Sequence, residues 1–164
     1  MKLPIFEKYI DGLIEKSTLD IPAWNIEKAL EGKAAGWNYI DGCMILALLE
    51  IYQATGEEKY YKFADAFINH RVQEDGSITG YSVDEYNLDN INAGKTLFLL
   101  YDLNGKEKYK KAIELIYSQV QTQPRTEEGN FWHKQIYPHQ VWLDGMYMGQ
   151  PFYMEYETRF NNKK

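Results

Sequence analysis

Three aspartates recur in one local setting: Ile40-Asp41-Gly42, Leu88-Asp89-Asn90 and Leu143-Asp144-Gly145. Each stands where an apolar, helix-like run begins. An aspartate there can cap a helix, because its oxygen accepts a backbone N–H and complements the helix dipole. It can also be held for chemistry. Carboxylates that converge on one mouth repel, and the repulsion raises the pKa of at least one of them, while a helix N-terminus pulls the other way. An acid and a base can then coexist in different surroundings. Such a mouth would lie beside Trp37, Tyr39, His133, Lys134 and Trp142. Paired carboxylates between aromatic walls are the usual equipment for glycosidic chemistry.

The elements that must position these groups are helical and repeated. Phe6, Tyr9, Ile10, Leu13 and Ile14 recur at helical spacing, which predicts a first helix from about Pro4 to Lys16. Beyond it the chain resembles itself. The run LLEIYQATGEEKYYKFADAFI (48–68) aligns with LFLLYDLNGKEKYKKAIELIY (97–117), matching Tyr52 with Tyr101, Gly56 with Gly105 and Lys59-Tyr60 with Lys108-Tyr109. A repeat of about fifty residues means a stacked supersecondary unit. Each unit reads as an apolar inner helix, a glycine C-cap and an amphipathic outer helix. The inner run CMILALLEIYQAT is apolar nearly all round and is expected to be buried on both sides. A third unit opens at Trp142 and runs toward Phe160. If the inner helices are parallel, their aspartates meet at one end. Two long polar connections, VQEDGSITGYSVDEYN and TQPRTEEGNFWHKQIYPHQ, precede inner helices. Long loops of this kind are functional or disordered, and the aromatic content of the second favours function.

Composition narrows the class. The chain has 164 residues, enough for one domain with a real core, and a hydrophobic share of 45%. A net charge of -6 argues against nucleic acid or an anionic membrane as partner. No run is apolar enough for a signal peptide or a membrane span. Cys43 is the single cysteine. It excludes a disulfide framework and fits a reducing compartment, so the reading is cytoplasmic. The three histidines lack zinc-binding spacing, and neither a P-loop nor GxGxxG is present, so no metal and no cofactor are expected. The stretch QEDGS lacks the alternating ligands of a calcium loop and reads as a solvated turn.

The segment GNFWHKQIYPHQVWLDGMYMGQPF resembles the signature of the unsaturated rhamnogalacturonyl and glucuronyl hydrolases, glycoside hydrolase families 105 and 88, and is closer to the former. NLDNINAGKTLFLLYD resembles their other characteristic segment. The resemblance spans about Trp37 to Phe160. It implies an all-α fold, an (α/α)6 barrel in which six helical hairpins form a toroid. It implies a substrate as well: a small oligosaccharide, left by a polysaccharide lyase, whose terminal uronic acid carries a C4=C5 double bond. The implied reaction is hydration of that enol ether, without metal or cofactor. Asp144 matches the family's general acid and base, and Asp89 matches a second essential carboxylate. Trp142 and Lys134 match residues lining the site, and His133 adjoins them. Asp41 and Trp37 are added as substrate-binding candidates from the repeat, not from the motif.

The family barrel needs about twice this length. Residues 1–164 are therefore expected to form one partial domain, the N-terminal half of the ring. The exposed half-barrel is expected to self-associate, and the isolated chain to be inactive or nearly so. Two other readings fit the same helices. One is an inverting glycosidase or sugar epimerase on the same barrel. The other is a non-catalytic helical-repeat interaction module, although such repeats are shorter, about 34 residues.

Overall fold

The computed structural model describes residues 4–161, and among these the regular structure is helical. The elements are α1 (Pro4–Glu15), α2 (Ile26–Glu31), α3 (Tyr39–Thr55), α4 (Glu58–Arg71), α5 (Lys95–Asn104), α6 (Glu107–Thr122) and α7 (Leu143–Phe160). Two 3-10 segments, Val83–Glu85 and Leu88–Gly94, lie between α4 and α5.

The repeat is the fold. The two aligned runs become the hairpins α3–α4 and α5–α6. Gly56 (φ 74°) and Gly105 (φ 65°) end the inner helices in the left-handed region, each N–H closing onto the carbonyl of Tyr52 or Tyr101. Tyr60 and Tyr109, equivalent in the repeat, are both fully buried. The repeat extends further than the helices. Each outer helix runs into a small antiparallel bridge, Val72 with Ile78 and Arg125 with Phe131. Each bridge turns at a glycine, Gly76 or Gly129, with φ 90°. QEDGS is such a turn: Asp75 Oδ1 accepts from the Ser77 amide and hydroxyl.

Outer helices are laced together by charge. Lys59 reaches Asp11 on α1 at 2.7 Å, and Lys106 reaches Asp65 on α4 at 2.6 Å. Tyr109 donates to the same Asp65 at 2.6 Å. The core between the layers holds Ile45, Leu48, Phe67, Leu97, Leu100, Ile113 and Phe152.

Two expectations are corrected. The helix α3 is not buried on both sides: Cys43 and Glu50 are exposed, and Leu46 and Ala47 are half-buried. The inner helix does not start at Asp89, because Leu88–Gly94 is 3-10 and α5 begins only at Lys95. Asparagine and glycine compete poorly for α-helix, and here the asparagines bond elsewhere. Asn92 Nδ2 donates to the Tyr39 carbonyl, which ties this segment to the start of α3. At that crossing Gly42 lies so close that a Cβ would stand 2.6 Å from the Ala93 nitrogen.

Candidate functional site

None of the three aspartates caps its helix in the expected way. Asn38 caps α3, its Oδ1 accepting the Asp41 amide at 3.0 Å. Asn87 does the same for the 3-10 segment, accepting the Asp89 amide at 3.0 Å. In α7 the Asp144 carboxylate accepts the amide of Gly145 at 3.0 Å. Asparagine is as good an N-cap as aspartate. Its presence before two of the three frees those carboxylates for other partners.

Asp89 and Asp144 meet. With His133 they place one donor atom each within 4.8 Å of one another. The loop Gln123–Trp142 brings His133 there, because the Leu88 amide donates to the His133 carbonyl at 3.0 Å and the His133 amide to Gln140 at 2.8 Å. Lys134 binds Asp89 at 2.7 Å. The lysine expected to face a substrate carboxylate is thus also the counter-charge of Asp89. The two carboxylates differ in setting: Asp89 is 9% exposed, while Asp144 stands exposed in the first turn of α7.

His133 is 1% exposed. Its Nε2 lies 3.5 Å from Asp89, too long for a good hydrogen bond, and among the described residues neither ring nitrogen has a hydrogen-bond partner. Burial holds its pKa below 6.5, against the attraction of Asp89 and Asp144, and Lys134 lowers it further. The lowering favours the neutral imidazole. Trp142 stacks on it, centroids 4.3 Å apart, and also on Tyr137 at 5.3 Å. Gly145 makes room for the imidazole, since a Cβ there would lie 2.6 Å from His133 Nδ1. These three side chains are also the set whose donor atoms stand close enough to share a cation.

Trp37 and Asp41 are not in this cluster. Trp37 is 3% exposed and donates from Nε1 to the Asn90 carbonyl at 2.7 Å, so it holds the Asp89 segment from beneath. Asp41 accepts from Trp24 Nε1 at 2.7 Å and from Asn38 Nδ2 at 2.9 Å, which occupies both oxygens. Burial raises its pKa, and Trp24, Arg71 and Asn38 oppose the rise. The anticipated meeting of three carboxylates is corrected to two, and the rise at Asp41 comes from burial rather than repulsion.

Two glutamines went unnoticed in the sequence. Gln119 on α6 and Gln123, four residues on at its C-cap, are both buried. Gln119 takes a hydrogen bond from the Tyr81 hydroxyl at 2.7 Å and donates to the Asn87 carbonyl at 3.2 Å. Gln123 donates to the carbonyls of Tyr86 and Trp132 at 2.9 and 2.8 Å. Together they fasten the two long connections that carry Asp89, His133 and Lys134. Their only signal was position: two polar residues on the apolar stripe that includes Ile116 and Val120.

A family model described as Glycosyl Hydrolase Family 88 matches residues 11–164. Among solved structures, a glycoside hydrolase from family 105 of C. acetobutylicum ATCC 824 is 38% identical, with a TM-score of 0.80. The match covers 94% of this chain and 40% of that one, so the chain spans less than half the length of that relative.

Proposed function

Because the chain belongs to glycosyl hydrolase family 88, we propose that it carries the proton-transfer half of an active site for unsaturated uronyl oligosaccharides. The observation that carries the proposal is the meeting of Asp89, His133 and Asp144 within 4.8 Å, beside Trp142. Asp144, open to an entering ligand, hands a proton to C4 of the enol ether. Positive charge then develops at C5 and the ring oxygen. Asp89, held in place by Lys134, lies close enough to stabilise that charge without reorganising. Water adds at C5 and returns its proton to Asp144, leaving a hemiketal. The hemiketal opens, releasing a saturated saccharide and a keto-uronate. Lys134 has three donors and spends one on Asp89, so it can also meet the uronate carboxylate. His133, 1% exposed, backs Trp142, which is 40% exposed and can offer a face to the sugar.

The remaining hairpins of the ring are part of this proposal, and the isolated chain is expected to be inactive or nearly so. Leu143, Met146, Tyr147 and Met154 leave an exposed apolar surface on α7. Those hairpins would cover it, and in their absence a second copy would. A cytoplasmic location also belongs to the proposal. No helix among the described residues is long and apolar enough to cross a membrane.

The test follows the ultraviolet absorbance of the enol ether. The chain, alone and completed with the C-terminal hairpins of the C. acetobutylicum relative, is given an unsaturated uronyl disaccharide and its saturated analogue. The expected result is turnover of the unsaturated sugar by the completed protein and its loss in Asp144→Asn. Equal cleavage of the saturated analogue would establish an ordinary glycosidase instead. Robust turnover by the 164-residue chain alone would refute the need for the other hairpins.

A further inference from the structure

The tripeptide Glu-Lys-Tyr occurs three times, at 7–9, 58–60 and 107–109, near the start of α1, α4 and α6. These are the outer helices. In two of them the motif is engaged with the outer helix before it. Lys59 of α4 reaches Asp11 of α1, and Tyr60 beside it is buried. In the next hairpin Tyr109, with Lys106 just ahead of the motif, reaches Asp65 of α4. The motif of α1 has no outer helix before it. Tyr9 is 64% exposed where Tyr60 and Tyr109 are fully buried, and Lys8 is exposed. Neither forms an ion pair or side-chain hydrogen bond among the described residues.

The far end of the series presents the complement. Glu114 stands on α6 where Asp65 stands on α4, in the register that matches Gly105 with Gly56. It is exposed and forms no ion pair among the described residues. It lies beside α7, since burial and then the Glu114 charge raise the pKa of Tyr156. The acid that should take the next Lys-Tyr pair therefore faces the place of the next outer helix. We propose that a second copy of this chain supplies that helix: its α1 lies against α6 and α7, with Lys8 and Tyr9 on Glu114.

The apolar surface agrees. On α1, Ile10, Leu13 and Ile14 pack on the chain's own core, while Ile5 and Phe6 remain exposed beside Tyr9. On α7 the exposed Leu143, Tyr147 and Met154 are spaced four and seven residues apart, on one face. A head-to-tail contact closes into a ring only if its rotation permits. Each copy holds three outer helices (α1, α4, α6) and three inner ones (α3, α5, α7), which is half a ring, so two copies hold six of each and close it. Both contacts of the pair are then the same, and no end is left open.

The test is the oligomeric state of the 164-residue chain by sedimentation. A dimer is expected at micromolar concentration. Lys8→Glu and Glu114→Lys, each alone, set like charges at both contacts and should weaken the dimer about tenfold. Both side chains are exposed, so circular dichroism should show both variants folded. An equimolar mixture of the two variants restores opposite charges at both contacts, and its dimer should return to within about threefold of the parent. A monomeric parent, variants that pair as the parent does, a mixture no tighter than either variant, or open assemblies larger than two would each overturn the proposal. So would a monomeric chain that pairs only with the C-terminal hairpins of the C. acetobutylicum relative, since the rest of the ring would then be the occupant. Mass is read without sugar, so every one of these results leaves the uronyl reading untouched.

Discussion

Gln119→Leu removes the polar head that fastens both functional connections and keeps the volume of the side chain. Gln119 is fully buried and takes part in three hydrogen bonds, with Tyr81, Asn87 and Gln123, at 2.7 to 3.2 Å. At about 1 kcal/mol each the loss comes to about 3 kcal/mol. The greater ease of burying leucine returns part of this, so a net cost of about 2–3 kcal/mol is expected. For a chain of this size that lowers Tm by about 4–12 °C. The effect should also be local. The Leu88 amide bonds the His133 carbonyl and the Trp132 amide bonds the Pro124 carbonyl. Both depend on the two connections lying against α6, so both should exchange with solvent faster. The buried amides of α4 should change only by the global loss. Thermal melts and hydrogen exchange together check this. A Tm shift below about 2 °C, or unchanged protection at Leu88 and Trp132, would refute the claim that α6 positions the site.

Other expectations follow from single close contacts. Gly42→Ala should cost about 1–3 kcal/mol, although alanine favours helix, because its Cβ would meet the Ala93 backbone at 2.6 Å and backbone cannot step aside; chemical denaturation measures it. His133 has a folded-state pKa below 6.5, so the folded chain binds fewer protons there than the unfolded chain. Stability should be intact above that value and fall as pH drops through 6.5 toward the depressed pKa, and His133→Gln should flatten the fall. If a second copy covers the exposed surface of α7, as proposed, Met146→Lys with Met154→Lys, which charges that surface, should leave the chain monomeric in sedimentation where the parent pairs.

The hairpins were legible because the repeat is written in large, unambiguous features: apolar runs, Gly56 and Gly105, and the Lys-Tyr pairs. The boundaries were nearly right where one face dominates, as in α1, which stops one residue before the expected Lys16. The aspartates were expected to share one mouth because their sequence neighbours look alike. What separates them lies at a distance. Trp24, seventeen residues away, occupies Asp41, and Lys134, on another connection, occupies Asp89. The short helix α2 and the 3-10 segment at Asp89 left little periodicity to read. Gln119 and Gln123 were invisible for a related reason. A buried amide earns its place by which carbonyls it meets, and sequence spacing does not report that.

The distribution of roles along the chain has a physical logic. The candidate pair, Asp89 and Asp144, stands on a short 3-10 segment and in the first turn of a helix. The groups that hold them, Trp37, Asn87, Gln119 and Gln123, are anchored by buried contacts in or beside the helical layers. His133 stands between the two kinds. It is buried like a core residue, yet among the described residues neither ring nitrogen has a hydrogen-bond partner, and its ring stacks on Trp142. A buried polar group left unsatisfied beside two carboxylates is where a water or a ligand hydroxyl would be most strongly held. On the proposed reading, that place lies beside Asp144, the group that would hand over the proton.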